Sequence, residues 1–312
     1  MSRKLYNSVL GIPLFALCFS CSEKAEPPTP AAIASSPAPA QLSLEETLGY
    51  AEKLGQAADA GDLEIVKKIL AAAPLLITSQ SDSMQAIHHA ARRGHVETVK
   101  FLLSAGAKVD ASTRNRWQAM HYAAEAGHTK VLQVLIAAGG KVDAVNDSGY
   151  QPLHCLCSSK SSVAPALQCL LAAGAKTDEF TSTGVAAIHL AAAAGKIELV
   201  QALLRAGAKV NGRDHFGRQP IHCAASAGSV DLLPVLLAAG ANIKAEDDRR
   251  CQPIHLAASN GQLTCVQWLI QAGAQIDARD ELDYTPEMWA ESRKHPALAA
   301  WLKEAKVSAA FK

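Results

Sequence analysis

Aromatic residues are scarce in this 312-residue chain: Phe, Tyr and Trp together make up 5 %, and methionine occurs four times. Net charge is scarcer still, with 30 Lys and Arg against 29 Asp and Glu, a formal +1. That balance advertises no field for a polyanion, so nucleic acid is not an expected partner. Beyond the N-terminal segment no apolar run approaches ~20 residues, which excludes a polytopic membrane protein. Eight cysteines in a chain of this length do not make a disulfide-stapled miniprotein. What is abundant is Ala, Leu, Val and Ile. They supply most of an apolar share of 49 %, which excludes disorder throughout and suits closely packed helices.

The N-terminus reads as an address. Arg3 and Lys4 precede an apolar stretch from Val9 to Phe19, a length that fits a signal-peptide core of ~7–15 residues. Ser20-Cys21 follows. The arrangement resembles a bacterial lipoprotein signal, although Cys18 stands where that family prefers Leu. The resemblance implies cleavage before Cys21, lipidation of Cys21 and, with Ser22 next, a place in the outer membrane facing the periplasm. Cutting there leaves 28 basic against 29 acidic side chains, so no polybasic membrane patch remains. Residues 22–47 open with a Pro-, Ala- and Ser-rich run, SEKAEPPTPAAIASSPAPAQ, that cannot bury enough surface to offset its ordering entropy. They are expected to form a flexible tether.

A repeat organises the remainder. His88, His121, His154, His189, His222 and His255 are spaced 33, 33, 35, 33 and 33 residues apart. Gly106, Gly139, Gly174, Gly207, Gly240 and Gly273 carry the same period, including the same slip of two. Within a unit, Ile188-His189-Leu190-Ala191-Ala192 predicts a short helix with a small-residue face. Ile197, Leu199, Val200, Leu203 and Leu204 predict a second, amphipathic one. Neither could bury its face alone, so the units must stack.

The pattern Gln219-Pro220-Ile221-His222-Cys223-Ala224-Ala225, with Gly228 and Leu236-Leu237 before Gly240-Ala241, resembles the ankyrin repeat. The resemblance covers residues 48–306: an opening unit (48–80), six full units (81–278) and a closing unit with Met288 in the His place. A tail, 307–312, follows. It implies an all-α repeat solenoid whose helix-turn-helix units are joined by β-turn, hairpin-like loops. The family's Thr before the Pro is replaced by Gln85, Gln118, Gln151, Ala186, Gln219 and Gln252. This puts its Thr-to-His hydrogen bond in question, with a Gln amide as the substitute. The unit of His154 departs most: Leu156-Cys157 replaces the alanine pair, and Ser158–Ser162 lengthens the connection.

Chemical function is not expected. Stacked helices lie ~8–10 Å apart, too far for equivalent histidines to share a zinc at ~2.0–2.1 Å. No phosphate-cradling Gly-rich loop, HExxH or GxSxG is present. Asp110, Asp143, Asp214 and Asp247 recur with the repeat and read as turn residues. No cofactor, metal or small-molecule substrate is therefore predicted. Cys157 and Cys169, on the two helices of one unit, are a candidate disulfide, with buried free thiols as the default.

The family resemblance implies a protein partner bound by the turn tips and the exposed side of the first helices, a concave strip. Four residues before each His stand Met84, Trp117, Tyr150, Val185, Arg218 and Cys251, with Tyr284 matching them in the closing unit. Arg92, Arg93, Arg114, Arg116, Phe216, Arg249 and Arg250 fall on the same strip. Trp, Tyr and Arg dominate binding hot spots. The reading is a membrane-tethered, non-catalytic binder; a secreted binder and a passive envelope spacer are its alternatives.

Overall fold

The structure, a computed structural model, describes residues 44–159 and 163–310. The predicted signal, Cys21 and most of the tether lie outside these residues. Sixteen α-helices form eight consecutive pairs, and no β-strand occurs among the described residues. The pairs are α1 (Leu44–Ala60) with α2 (Leu63–Ala72), α3 (Ala86–Arg93) with α4 (Val96–Ser104), and α5 (Ala119–Ala126) with α6 (Thr129–Ala137). Next come α7 (Pro152–Leu156) with α8 (Ala164–Ala172), α9 (Ala187–Ala193) with α10 (Ile197–Arg205), and α11 (Pro220–Ala227) with α12 (Leu233–Ala238). Last are α13 (Pro253–Ser259) with α14 (Leu263–Gln271), and α15 (Pro286–Ser292) with α16 (Pro296–Ala310). The first helix begins at Leu44, inside the segment expected as tether, and the last continues to Ala310, past the expected boundary at 306.

First helices stack on first helices, and second helices on second, which produces two layers. The alanine pairs explain the close approach in the first layer. Ala90-Ala91, Ala123-Ala124, Ala191-Ala192, Ala224-Ala225 and Ala257-Ala258 are all fully buried. In the second layer two large aliphatic residues per helix face inward and are essentially inaccessible, for instance Val99 and Leu102, Leu132 and Leu135, and Val266 and Leu269. Burying each such side chain contributes about 1.5–3 kcal/mol.

Two units deviate, each for a local reason. Helix α7 has five residues where α3, α5 and α11 have eight, because the alanine pair is missing and the chain turns away at Cys157. The shortened unit is held by its neighbour: Cys157 Sγ donates to the Ala187 carbonyl at 3.3 Å, and Lys196 Nζ donates to the Ser159 carbonyl. Before α12, Val230–Leu232 forms a 3₁₀ turn. Pro234 has no N–H to donate to Val230, so a regular first turn is impossible there.

Candidate functional site

The turn tips are positioned by the histidines. In five units the His Nδ1 accepts from the backbone N–H of the N-cap Gln, at 2.9–3.1 Å. The main-chain N–H makes the bond to the ring, and the side chain of the same Gln faces the backbone N–H of the histidine in a capping box in all five units, so the Gln amide stands where the family's Thr would cap the helix. The other ring nitrogen reaches the next unit. His121 Nε2 donates to the carbonyls of Ala144 and Tyr150, His189 Nε2 to Gly212 and Arg218, and His222 Nε2 to Ala245 and Cys251, all at 2.9–3.2 Å. His88, His154 and His255 reach Ala111, Glu179 and Ala278. Burial disfavours the charged ring and lowers the pKa of all six, to about 4 for His154 and His222. These rings are neutral struts with both nitrogens committed to the backbone, except that His189, whose unit has Ala186 in place of the Gln, leaves its Nδ1 buried without a partner.

Each tip is then closed by one short polar side chain. Asp214 Oδ1 accepts from the N–H groups of Phe216 and Arg218; Asp247 Oδ1 does the same for Arg249 and Cys251, and Asp280 Oδ1 for Leu282 and Tyr284. Asn146 plays this part in its own tip. Consecutive tips are also joined through the backbone: Asp147 donates to Asn115, Ser182 to Ser148, Asp248 to Phe216 and Glu281 to Arg249. The turn carboxylates Asp214 and Asp247 are thus structural acceptors, and Asp110 and Asp143 lie exposed in the turns after the second helices.

The predicted binding residues divide by accessibility. Met84 is only 8 % exposed, and its backbone pairs with Ser81, so its place in the strip is corrected. Arg218 is likewise withdrawn from the surface. It is 6 % exposed, its Nε donates to Asp214 Oδ2 at 3.0 Å, and the Phe216 ring covers its guanidinium at 4.6 Å. Arg92 and Arg93 are exposed but both engage Asp59, at 2.7 and 2.9 Å. Burial pushes the Asp59 carboxyl up, and the two guanidinium groups outweigh it, leaving the pKa below its usual value. Trp117 and Tyr150 are half-buried against the core. The Trp117 ring lies 5.1 Å from that of Tyr122 and 5.7 Å from that of His121, and Tyr150 stands 5.8 Å from His154. Arg114, Arg116, Phe216, Arg249 and Arg250 are exposed on the tips.

Three residues were outside the sequence expectation. Tyr122, one place after the ladder histidine, completes the aromatic pair with Trp117. Phe180, bridged through its backbone to Ala186, and Leu282 are exposed at 52 % and 51 % on their tips. Leu282 occupies the same register as Phe216, six before the ladder position, so aligning the tips themselves would have found it.

The candidate disulfide does not form: Cys157 and Cys169 are both free. Cys157 sits just beyond the end of α7, buried and turned toward Ala187, while Cys169 is half-exposed on α8. Burial pushes the Cys157 thiol up to about 12, and Cys223 and Cys265 likewise.

A family model described as Ankyrin repeats (3 copies) matches residues 54–146, 99–181, 153–247 and 221–310 in overlapping stretches. Comparison with curated proteins gives no match.

Proposed function

We propose, from the premise that the chain belongs to the ankyrin-repeat family, that it binds a protein partner through its turn tips and first-helix face. The family is typically a non-catalytic interaction module. Here the reading rests on one observation above the rest. Trp117 and Tyr122 form a half-buried aromatic pair directly beside the exposed Arg114 and Arg116. Large aromatics next to arginine, at the rim of a rigid backbone lattice, supply the anchors that a protein interface uses.

The test is site-specific photocrosslinking. A benzophenone side chain at Asn115, an exposed tip position, captures the partner in the cell. The double variant Trp117→Ala, Tyr150→Ala is expected to lose the crosslinked species while retaining its helical circular-dichroism signal. An undiminished crosslink would overturn the placement.

The chain further reads as tethered by lipid at Cys21 to the outer membrane, facing the periplasm. The apolar stretch Val9–Phe19 before Ser20-Cys21 and the Pro- and Ala-rich run after it support that reading. A lipid-sized mass increase, lost together with membrane partitioning in Cys21→Ser, is the expected result. An unmodified soluble protein in both cases would refute it.

A further inference from the structure

One backbone position, five residues before the ladder place, is left-handed in seven successive tips: Ser83, Arg116, Gly149, Gly184, Gly217, Arg250 and Asp283, with φ between +57° and +73°. Glycine adopts this conformation without penalty, and a short polar side chain offsets part of the penalty by bonding locally. Arginine has neither advantage. The three middle tips use glycine, whereas Arg116 (φ +59°) and Arg250 (φ +57°) keep a long side chain in a strained place.

Intramolecular bonding does not account for that retention. Arg116 Nε stands 3.9 Å from Asp147, and Arg250 Nε stands 3.8 Å from Glu246, with both arginine side chains more than 60 % exposed. Exposed ion pairs at that separation contribute almost nothing. Each strained arginine is also doubled on its own tip, by Arg114 in the first case and Arg249 in the second, and both of these are exposed. In the three tips between, the left-handed place is glycine, the place of Arg249 holds Ser148, Thr183 and Phe216, and the place of Arg114 holds Asp147, Ser182 and His215, so no arginine stands at these places between the two tips. The two arginine tips are four unit steps apart, roughly 32–40 Å at ~8–10 Å per step.

We propose that the tips 114–116 and 249–250 are paired anion-recognition points for one extended acidic segment of the protein partner. Guanidinium groups suit carboxylates because their donors form a rigid fork. At ~3.3 Å per residue an extended chain needs about twelve residues to span the two points. This inference rests on the protein-binding reading above and gives its partner a chemistry and a length.

The probe is a fluorescein-labelled dodecaglutamate, with hexaglutamate as the length control, followed by anisotropy at low salt against the full chain. Dodecaglutamate is expected to bind at least tenfold more tightly than hexaglutamate, since only the longer peptide reaches both tips. Arg116→Gly and Arg250→Gly should each weaken binding at least fivefold while raising the melting temperature by about 2–4 °C. Arg116→Lys and Arg250→Lys should keep the wild-type melting temperature while losing part of the binding, because an ammonium keeps the charge without the fork.

Equal affinity for the two peptides, unchanged affinity in the double glycine variant, or no thermal gain in the glycine variants would each overturn the proposal. So would tighter binding of a twelve-nucleotide single strand through the same arginines, which would assign the tips to nucleic acid. Persistence of the Asn115 crosslink in the double glycine variant, with its loss in Trp117→Ala, Tyr150→Ala, would remove this inference and leave the protein-binding reading standing.

Discussion

The Nε2–H of His121 meets the carbonyl of Tyr150, 29 residues downstream, at 3.0 Å. The same proton is shared with Ala144 at 3.0 Å. One imidazole therefore ties a first helix to the tip of the following unit. Equivalent bonds from His189 to Arg218 and from His222 to Cys251 repeat that link. In the closing unit Met288 stands in the histidine place, half-open to solvent and without a ring nitrogen to make this link.

Acid should weaken the stack through these rings. His154 and His222 are held at about 4, below the ~6.5 of an unfolded histidine, because burial penalises the charged ring. Their contribution is full above pH 6.5 and is lost as pH falls toward 4, where the unfolded chain binds more protons. Each amounts to about 3 kcal/mol. Urea midpoints measured at pH 7 and pH 4.5 should fall steeply, and less so in His222→Gln. A midpoint independent of pH over that window would contradict the neutral-strut account.

Arg218 and Arg249 predict opposite outcomes despite sharing a residue type. Arg218→Ala strips the partner from an Asp214 side chain that is 1 % exposed, a loss of about 3 kcal/mol. Arg249→Ala removes an exposed tip side chain and should shift stability by under about 0.5 kcal/mol. Denaturant titration of both variants checks this, and comparable losses would show that the Asp214 pair carries no special weight.

Gly94 stacks beneath His128. A Cβ built there would lie 2.7 Å from the imidazole, and the backbone has φ +82°. Gly94→Ala should cost about 2–3 kcal/mol from strain and crowding together. Adding His128→Ala should restore only the crowding share, so partial rescue in the double variant is the diagnostic result.

Thiol labelling separates the cysteines. Cys169 is half-exposed, whereas Cys155, Cys157, Cys223, Cys251 and Cys265 are buried. In the native protein an Ellman-type reagent should modify Cys169 quickly and those five only on unfolding. Rapid modification of Cys157, or a mass two protons short from a Cys157–Cys169 bridge, would contradict the structure.

The period, the two helices per unit and the register of the histidines were legible in the sequence, because they follow from local pattern: apolar spacing, alanine pairs and helix-ending glycines repeating every 33 residues. That acidic turn residues such as Asp214 serve the backbone was legible for the same reason. Accessibility was not. Met84, Trp117, Tyr150 and Arg218 share one register position, yet Met84 and Arg218 are buried while the two aromatics remain half-open. Repeat spacing specifies where a Cα sits in the lattice. Whether its side chain reaches solvent depends on what the adjoining turn offers. Asp214 captures the Arg218 guanidinium and Phe216 covers it. Trp117 instead leans on Tyr122, a contact set by packing between the tip and the helix that follows. Only the assembled stack decides that, because it is a competition between water and neighbouring side chains for each group.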